Sequence, residues 1–390
     1  MDASAPVLLR PLGIGEIIDR ALAVYVRNFV ALTATALIVL FVPLVLAQYF
    51  LLDAQAGAFQ SMIEVFRHAA SGTPASPQAL ERLISYPELM LGYAFEVVTV
   101  ILSPFAFNAV AAGIAAIYAG GRPSIGASLA TAFARWAQLL GLLAVEILMV
   151  VGAYCVIVVL GVGIVFGSIA TANAFPDLAR SPLTITALVL LGLALLVALC
   201  VVCGLFALSM LFAGYAVVIE RKPVMASVGS GFERIFNRQE WRKALVLMLV
   251  ALLVAWGIGT LGAIAEFAFL FIPGLQAVAA LTSALVAVVS WAVQMVFYSV
   301  YYYDVRIRRE GLDLDVALQG LGASASQVSY AATNLVSGDE RALVHRFLER
   351  RTALPAKKRA ELAERLAQRI RPRVGPDLAR LDDEGLLERL

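Results

Sequence analysis

The stretch IGEIIDRALAVYVRNFVALTATALIVLFVPLVLAQYFLL, Ile14 to Leu52, changes character at Phe29. Before that point Ile14, Ile17, Ile18, Ala21, Leu22 and Tyr25 recur at helical spacing, and Glu16, Asp19, Arg20 and Arg27 lie off their stripe. The spacing predicts an amphipathic helix lying along a membrane surface, apolar side down. It is too polar to cross a bilayer and too evenly apolar for a loop. From Phe29 to Leu52 the chain is an apolar run, long enough to cross about 30 Å of hydrocarbon as a helix. The run follows an arginine-containing segment and has no small-residue cleavage site, so a retained span is expected and not a signal peptide. The short helix has two readings. It is a stirrup that sets the angle of the span behind it, or one part of a cytoplasmic collar that binds a partner or anionic lipid. Its weakly basic character gives electrostatics alone little hold on lipid.

The same alternation continues along the chain. Of 390 residues, 61% are hydrophobic and 15% charged, with a mean hydropathy of +0.86. A soluble domain carries about 25% charged residues. Five more apolar runs follow, Gly92 to Gly120, Leu139 to Ala170, Leu183 to Ile219, Ala244 to Ile272 and Leu275 to Tyr303, with a turn at Pro273-Gly274 parting the last two. The third and fourth runs exceed a minimal span and must tilt, bend or protrude. Gly152, Gly161, Gly163 and Gly167 offer places to bend in the third.

Lysine and arginine fix the expected orientation. One set of connecting segments holds Arg10, Arg20 and Arg27, then Arg122 and Arg135, then Arg221, Lys222, Arg234, Arg238, Arg242 and Lys243, and after the last run Arg306, Arg308 and Arg309. The opposite set holds Arg67, Arg82 and Arg180. Both termini are therefore expected in the cytoplasm.

The opening segment has two later counterparts. IGEIIDRALAVYVRNF lines up with IGASLATAFARWAQLL, Ile125 to Leu140, before the third run, and MASVGSGFERIF, Met225 to Phe236, precedes the fifth. Ala127, Ser128, Phe133 and Arg135 match Ala226, Ser227, Phe232 and Arg234. The copies start roughly 100 to 110 residues apart, longer than common solenoid repeats. The expected fold is an all-α integral membrane protein of six transmembrane helices, in three repeats of an interfacial amphipathic helix plus two spans. The expected organisation is an N-terminus with its interfacial helix over 1–28 and a membrane domain over 29–304 with interfacial helices near 125–138 and 225–238. A linker over 305–337 and a charged helical cytoplasmic tail over 338–390 complete it.

RPLGIGEIIDRALAVYVRNF, Arg10 to Phe29, and the exit YYYDVRIRREGLDLD, Tyr301 to Asp315, resemble the two ends of bacterial membrane proteins of the "glycerophosphoryl diester phosphodiesterase membrane domain" type. The resemblance spans roughly residues 8 to 320. It implies a six-span architecture in a bacterial cytoplasmic (inner) membrane. The family takes its name from members fused to a phosphodiesterase domain that uses histidines and metal-binding carboxylates. Here the histidines are His68 and His345, in separate segments, so the resemblance implies the architecture and not the enzymatic activity.

From Asp304 onward lie 16 of the 30 Lys and Arg residues and 14 of the 28 Asp and Glu residues. Leu343, Phe347 and Leu348 predict one short helix. KKRAELAERLAQRIRP, with Leu362, Leu366 and Ile370 on a stripe and Glu361 four residues before Arg365, predicts a better one, and Asp377 to Leu390 a third. FLERRTALPAKKRAELAERLA is similar to cytoplasmic tails of other bacterial membrane proteins, some with an RDD-type membrane domain. Such a unit is too small for a large core and is expected to need a protein partner. Its balanced charge, without a basic face bearing aromatics, excludes nucleic acid as a partner. Truncation after Leu314 is expected to leave the membrane part intact. Membrane lipids are the other expected partners, and the architecture leaves room for a homo-oligomer.

Motifs for catalysis are absent: no HExxH, GxSxG, Walker loop or glycine-rich dinucleotide turn. No cofactor, metal or catalytic residue is expected, and the chain reads as non-enzymatic. Cys155 and the CVVC pair Cys200 and Cys203 are expected to be small buried residues of helix interfaces. Pro43 and Pro104 are expected to bend their spans. The candidate intramembrane polar site comprises Glu146, Glu96, Glu266, Asn108 and Gln294. A carboxylate at mid-membrane costs a few kcal/mol unless paired or protonated. Glu146 is accordingly functional, or neutral and hydrogen-bonded between helices. Glu96 and Glu266 lie nearer the outer ends of their spans and can reach interfacial water. Two function classes follow. The first is an inner-membrane scaffold or accessory protein recruiting partners through its tail and interfacial helices. The second is a transporter, channel or lipid-handling protein using the bundle interior around Glu146. The charge pattern makes a direct prediction: a reporter fused after Leu390 is cytoplasmic and one inserted near Ser71 is exported. A cytoplasmic Ser71 fusion would overturn the six-span topology.

Overall fold

The computed structural model describes residues 10–72, 87–174, 181–237, 240–270, 272, 274–325, 338–374 and 376–389. Arg82, Arg180, Arg238, Pro273 and the stretch 326–337 of the expected linker lie outside the described residues. The described residues form helices and turns, without a strand. In chain order the helices are α1 (Ile14–Arg27), α2 (Phe29–Ala70), α3 (Pro87–Tyr118), α4 (Ile125–Phe133), α5 (Trp136–Ala174), α6 (Pro182–Val218), α7 (Val224–Ile235), α8 (Trp241–Leu270) and α9 (Gln276–Glu310). They continue as α10 (Leu312–Ala325), α11 (Gly338–Arg350) and α12 (Ala356–Ile370), then a 3₁₀ turn (Arg371–Arg373), α13 (Pro376–Ala379) and α14 (Asp383–Glu388). Six of them, α2, α3, α5, α6, α8 and α9, are long and apolar enough to cross a membrane. A short helix precedes each pair of long ones.

Hydrocarbon leaves a backbone no partner but itself, which favours uninterrupted helix. Pro43 and Pro104 accordingly lie inside continuous helices, and α5 runs unbroken through its glycines. The first apolar run ends at Leu52, yet α2 continues to Ala70. Residues 53–70 are polar enough to leave a bilayer but contain no proline, and Ala54, Ala56 and Ser61 remain buried. Leu52 joins Ala279 and Ala280 of α9 in a small core.

The chain divides into two compact units, Ile18–Ser299 and a second made of the residues up to Ile17 together with those from Val300 onward. In the larger unit α9 buries 56% of its most apolar stretch and α6 only 6%. Leu190, Leu191, Leu193, Leu195, Leu196 and Val197 of α6 are all exposed. A helix apolar and bare on every face is stable only in an apolar medium.

The short helices sit against protein. α4 packs on α3 and α2, and α7 on α6 and α5. Phe133 of α4 stacks on Phe105 at 4.9 Å, and Phe232 of α7 meets Phe206 edge-on at 5.7 Å. This corrects the expectation of an apolar face laid into the bilayer: Ser128, Ala132, Ser227, Gly231 and Ile235 are buried within the protein. In α1 the buried stripe is Ile17, Ala21, Val24 and Tyr25, with Leu22 exposed, so it is turned slightly from the expected one. The Tyr25 hydroxyl lies 3.0 Å from Thr33 Oγ1, and burial pushes its pKa up despite that bond. α7 also contains a buried ion pair. Arg234 Nη2 lies 2.8 Å from Glu220, which Lys222 Nζ approaches at 2.7 Å.

In the smaller unit, α1 begins with a capping arrangement in which Gly13 N–H donates to Glu16 at 2.8 Å. The Leu12 N–H donates to the buried Asp304 carboxylate at 2.8 Å, so the chain's beginning is fastened to the end of its last span. Arg308, one turn on, also pairs with Asp304. The tail has its own core: Leu314, Leu343, Val344, Phe347, Leu354, Leu362, Leu366, Ile370 and Leu387. Gly311 has φ +65°, and a Cβ there would lie 2.9 Å from Leu362, so both backbone and space call for glycine. Arg350 donates to Asp313 and to the Ile307 carbonyl, satisfying an orphan acceptor at the end of α9. Around these, Arg369 pairs with the buried Glu340 at 3.2 Å and Lys358 with Asp315 at 2.9 Å. The expected linker therefore begins as structure. α9 runs to Glu310, and α10 carries Leu314 into the tail core. A cut after Leu314 would strip that residue of its neighbours.

Two predictions concern packing. Gly231→Ala would drive its Cβ into the Ser209 carbonyl, whereas Gly229 on the same helix faces open space. Thermal unfolding should show a loss of about 1–3 kcal/mol for Gly231→Ala, and no loss for Gly229→Ala. Arg350→Ala leaves Asp313, 6% exposed, without its cation and should cost the tail unit about 3 kcal/mol. Hydrogen exchange over residues 356–370 measures this, and adding Asp313→Asn should restore part of the protection.

Candidate functional site

A cavity of about 440 Å³ lies inside the larger unit, walled by α3, α5, α6, α8 and α9. Most of the wall is apolar, including Phe107, Leu142, Leu143, Leu211 and Met248. The polar lining comes from Ser103 and Asn108 on α3, Glu146 on α5, Cys200 on α6 and Tyr298 on α9. Cys200, Ala207 and Leu252 line it and are exposed, so it reaches the surface between α6 and α8.

Two of the five expected polar residues, Asn108 and Glu146, therefore line one cavity. Glu146 lies ten residues into α5 after Trp136, about 15 Å along the helix at 1.5 Å per residue. It is half-buried. Asn108 is 2% exposed. Its Nδ2 donates to the Pro104 carbonyl on its own helix at 2.8 Å, while its Oδ1 is buried without a partner among the described residues. Gly214 on α6 makes room for this amide: a Cβ there would meet Nδ2 at 2.8 Å and Oδ1 at 3.4 Å. Gly204 does the same for Met248, whose sulfur would lie 2.6 Å from such an atom.

The other three lie elsewhere. Glu266 on α8 accepts a hydrogen bond from the Ser283 hydroxyl on α9, joining the two helices. Glu96 on α3 and Gln294 on α9 are half-buried and do not line the cavity. Sequence reasoning missed Tyr298, since a tyrosine amid VFYSVYYY carries no signal that separates it from its neighbours. The cysteines require a correction. Cys155, Cys200 and Cys203 are exposed and not buried in helix interfaces. A thiol is as compatible with lipid as with a protein interior, so its position in an apolar run does not choose between them.

No family model, curated protein or solved structure matches the chain.

Proposed function

We propose that this chain is a multi-pass protein of a bacterial inner membrane that holds an apolar-bodied small molecule or lipid inside its bundle. The observation that carries this reading is the convergence of Asn108 and Glu146 on one apolar-walled cavity. Its size falls within the range of small-molecule sites, about 300–1,000 Å³. Inside a membrane, apolar walls alone confer little selectivity, because lipid tails solvate an apolar body equally well. The few polar groups of the lining must supply it. The role proposed is binding and not catalysis, since among the described lining residues Glu146 is the single carboxylate and no histidine or lysine joins it.

Both termini are proposed to face the cytoplasm. Trp136 and Trp241, at the first residues of α5 and α8, are exposed beside Arg135 and Arg242, as in an aromatic belt next to a positive inner surface. Threefold repetition is proposed on matching contacts. The Phe133–Phe105 and Phe232–Phe206 pairs seat α4 and α7 on the preceding long helix, and the aligned Ser128 and Ser227 are both buried. A second role, recruitment of a protein partner by the tail, is supported by how Arg350 fastens the tail to the end of α9.

A photoactivatable dodecyl probe tests the binding role in reconstituted protein. It is expected to label peptides carrying Phe107 and Leu211. Ala207→Phe, which places a ring into the open side, should reduce that labelling about tenfold, a change of about 1.4 kcal/mol. Labelling unaffected by the filled cavity would overturn the proposal.

A further inference from the structure

Resting on the cavity described above, we propose that its polar end recognises a cationic amine: an ammonium group on a hydrocarbon body, held between Asn108 Oδ1 and the Glu146 carboxylate.

The argument begins with Asn108. Its amide is oriented, because one Nδ2 hydrogen is given to the Pro104 carbonyl at 2.8 Å. Its acceptor, Oδ1, is buried and unpartnered among the described residues. Gly214 packs against the amide and brings no side chain that could donate to it. A buried acceptor left unmade is costly, so the site is one donor short.

Glu146 makes the same demand with charge. Among the described residues the lining contains no lysine, arginine or histidine, and a carboxylate at this depth is unfavourable unless paired or protonated. Two acceptors, one of them anionic, select for a group that is cationic and rich in donors. An ammonium has three N–H donors and no acceptor, whereas a hydroxyl offers only one donor. A carboxylate or phosphate ligand would be repelled. Tyr298 adds an aromatic wall, a surface that also favours cations. The open side at Cys200, Ala207 and Leu252 gives the hydrocarbon body a path outward.

The amine could belong to a free single-chain amphiphile or to an aminophospholipid headgroup. The depth of Glu146 along α5 favours the first. The test uses the full chain in phosphatidylcholine nanodiscs, with displacement of the photoactivatable dodecyl probe by dodecylamine, dodecanol or dodecanoate at equal mole fraction in the bilayer. Dodecylamine is expected to displace the probe at about a tenfold lower mole fraction than the other two. Glu146→Gln, which keeps size and much hydrogen bonding but cannot ionise, should abolish that preference while the probe still labels the cavity. Equal displacement by amine and alcohol would overturn the amine and leave the cavity standing, with a proton as the partner of Glu146. A preference that survives in Glu146→Gln would overturn it as well. Failure of the probe to label wild-type protein would instead defeat the binding role itself. Replacing the phosphatidylcholine by phosphatidylethanolamine is expected to leave the dodecylamine curve unchanged. A rightward shift there would assign the same amine chemistry to a lipid headgroup.

Discussion

A helix in hydrocarbon must satisfy every polar group it carries, and most of the architecture follows from how each one does so. Several hydroxyls of the long helices turn back onto their own backbone. Thr35 donates to Ala31, Thr99 to Phe95, Ser209 to Leu205 and Ser299 to Met295, each to the carbonyl four residues earlier at 2.7–2.9 Å. A hydroxyl is content with this, since its one hydrogen is placed. Asn108 uses the same device with its Nδ2, but an amide has an acceptor half that no helix N–H is free to meet. Glu146 has no hydrogen to donate when ionised and cannot use the device at all. Asn108 and Glu146, neither fully satisfied by backbone, both line one cavity.

A second constraint acts at the helix ends, where the chain re-enters water and charges become affordable only if paired. Asp304, 1% exposed, receives the Leu12 N–H and Arg308, so the first described residues and the exit of the last span hold one another. Glu220 and Arg234 do the equivalent for α6 and α7. Removing one partner of such a pair leaves an uncompensated buried charge, which makes these pairs registers for the helices they join. Arg350 extends the logic into the tail, where a guanidinium closes the last turn of α9 and binds Asp313 at once.

Much of this was legible in the sequence, and the limits have physical causes. The six long helices follow from apolar runs because hydrocarbon permits little else. Their ends do not, since α2 continues as helix to Ala70, beyond its apolar run. Glu146 and Asn108 stood out as polar residues in apolar surroundings, but their meeting depends on which helices pack together. Hydrophobicity is silent on that, because lipid and protein interior are equally apolar. The same silence misplaced the cysteines and hid Tyr298. The short helices were readable from their stripes. What lay beneath the stripes was not, since an apolar face suits a membrane and a neighbouring helix alike. The small residues were the overlooked sign: Ser128 against Gly113, and Gly231 against Ser209, mark backbones brought close together.

Those close approaches also orient the cavity. On α6, Ser209 and Ala213 receive Gly231 of α7, and Gly214, the next residue, receives the Asn108 amide. One short stretch of α6 is thus in close contact with a surface helix and with the polar end of the cavity. Toward its beginning the same helix is bare, from Val189 to Val197. A helix held at one end and unpacked at the other can yield only at the unpacked end. A molecule bound as proposed would have its polar group at the fixed end, by Asn108, and its hydrocarbon toward the free end. On that proposal, position along α6 separates substitutions that would change recognition, near Gly214, from those that would change entry, near Cys200.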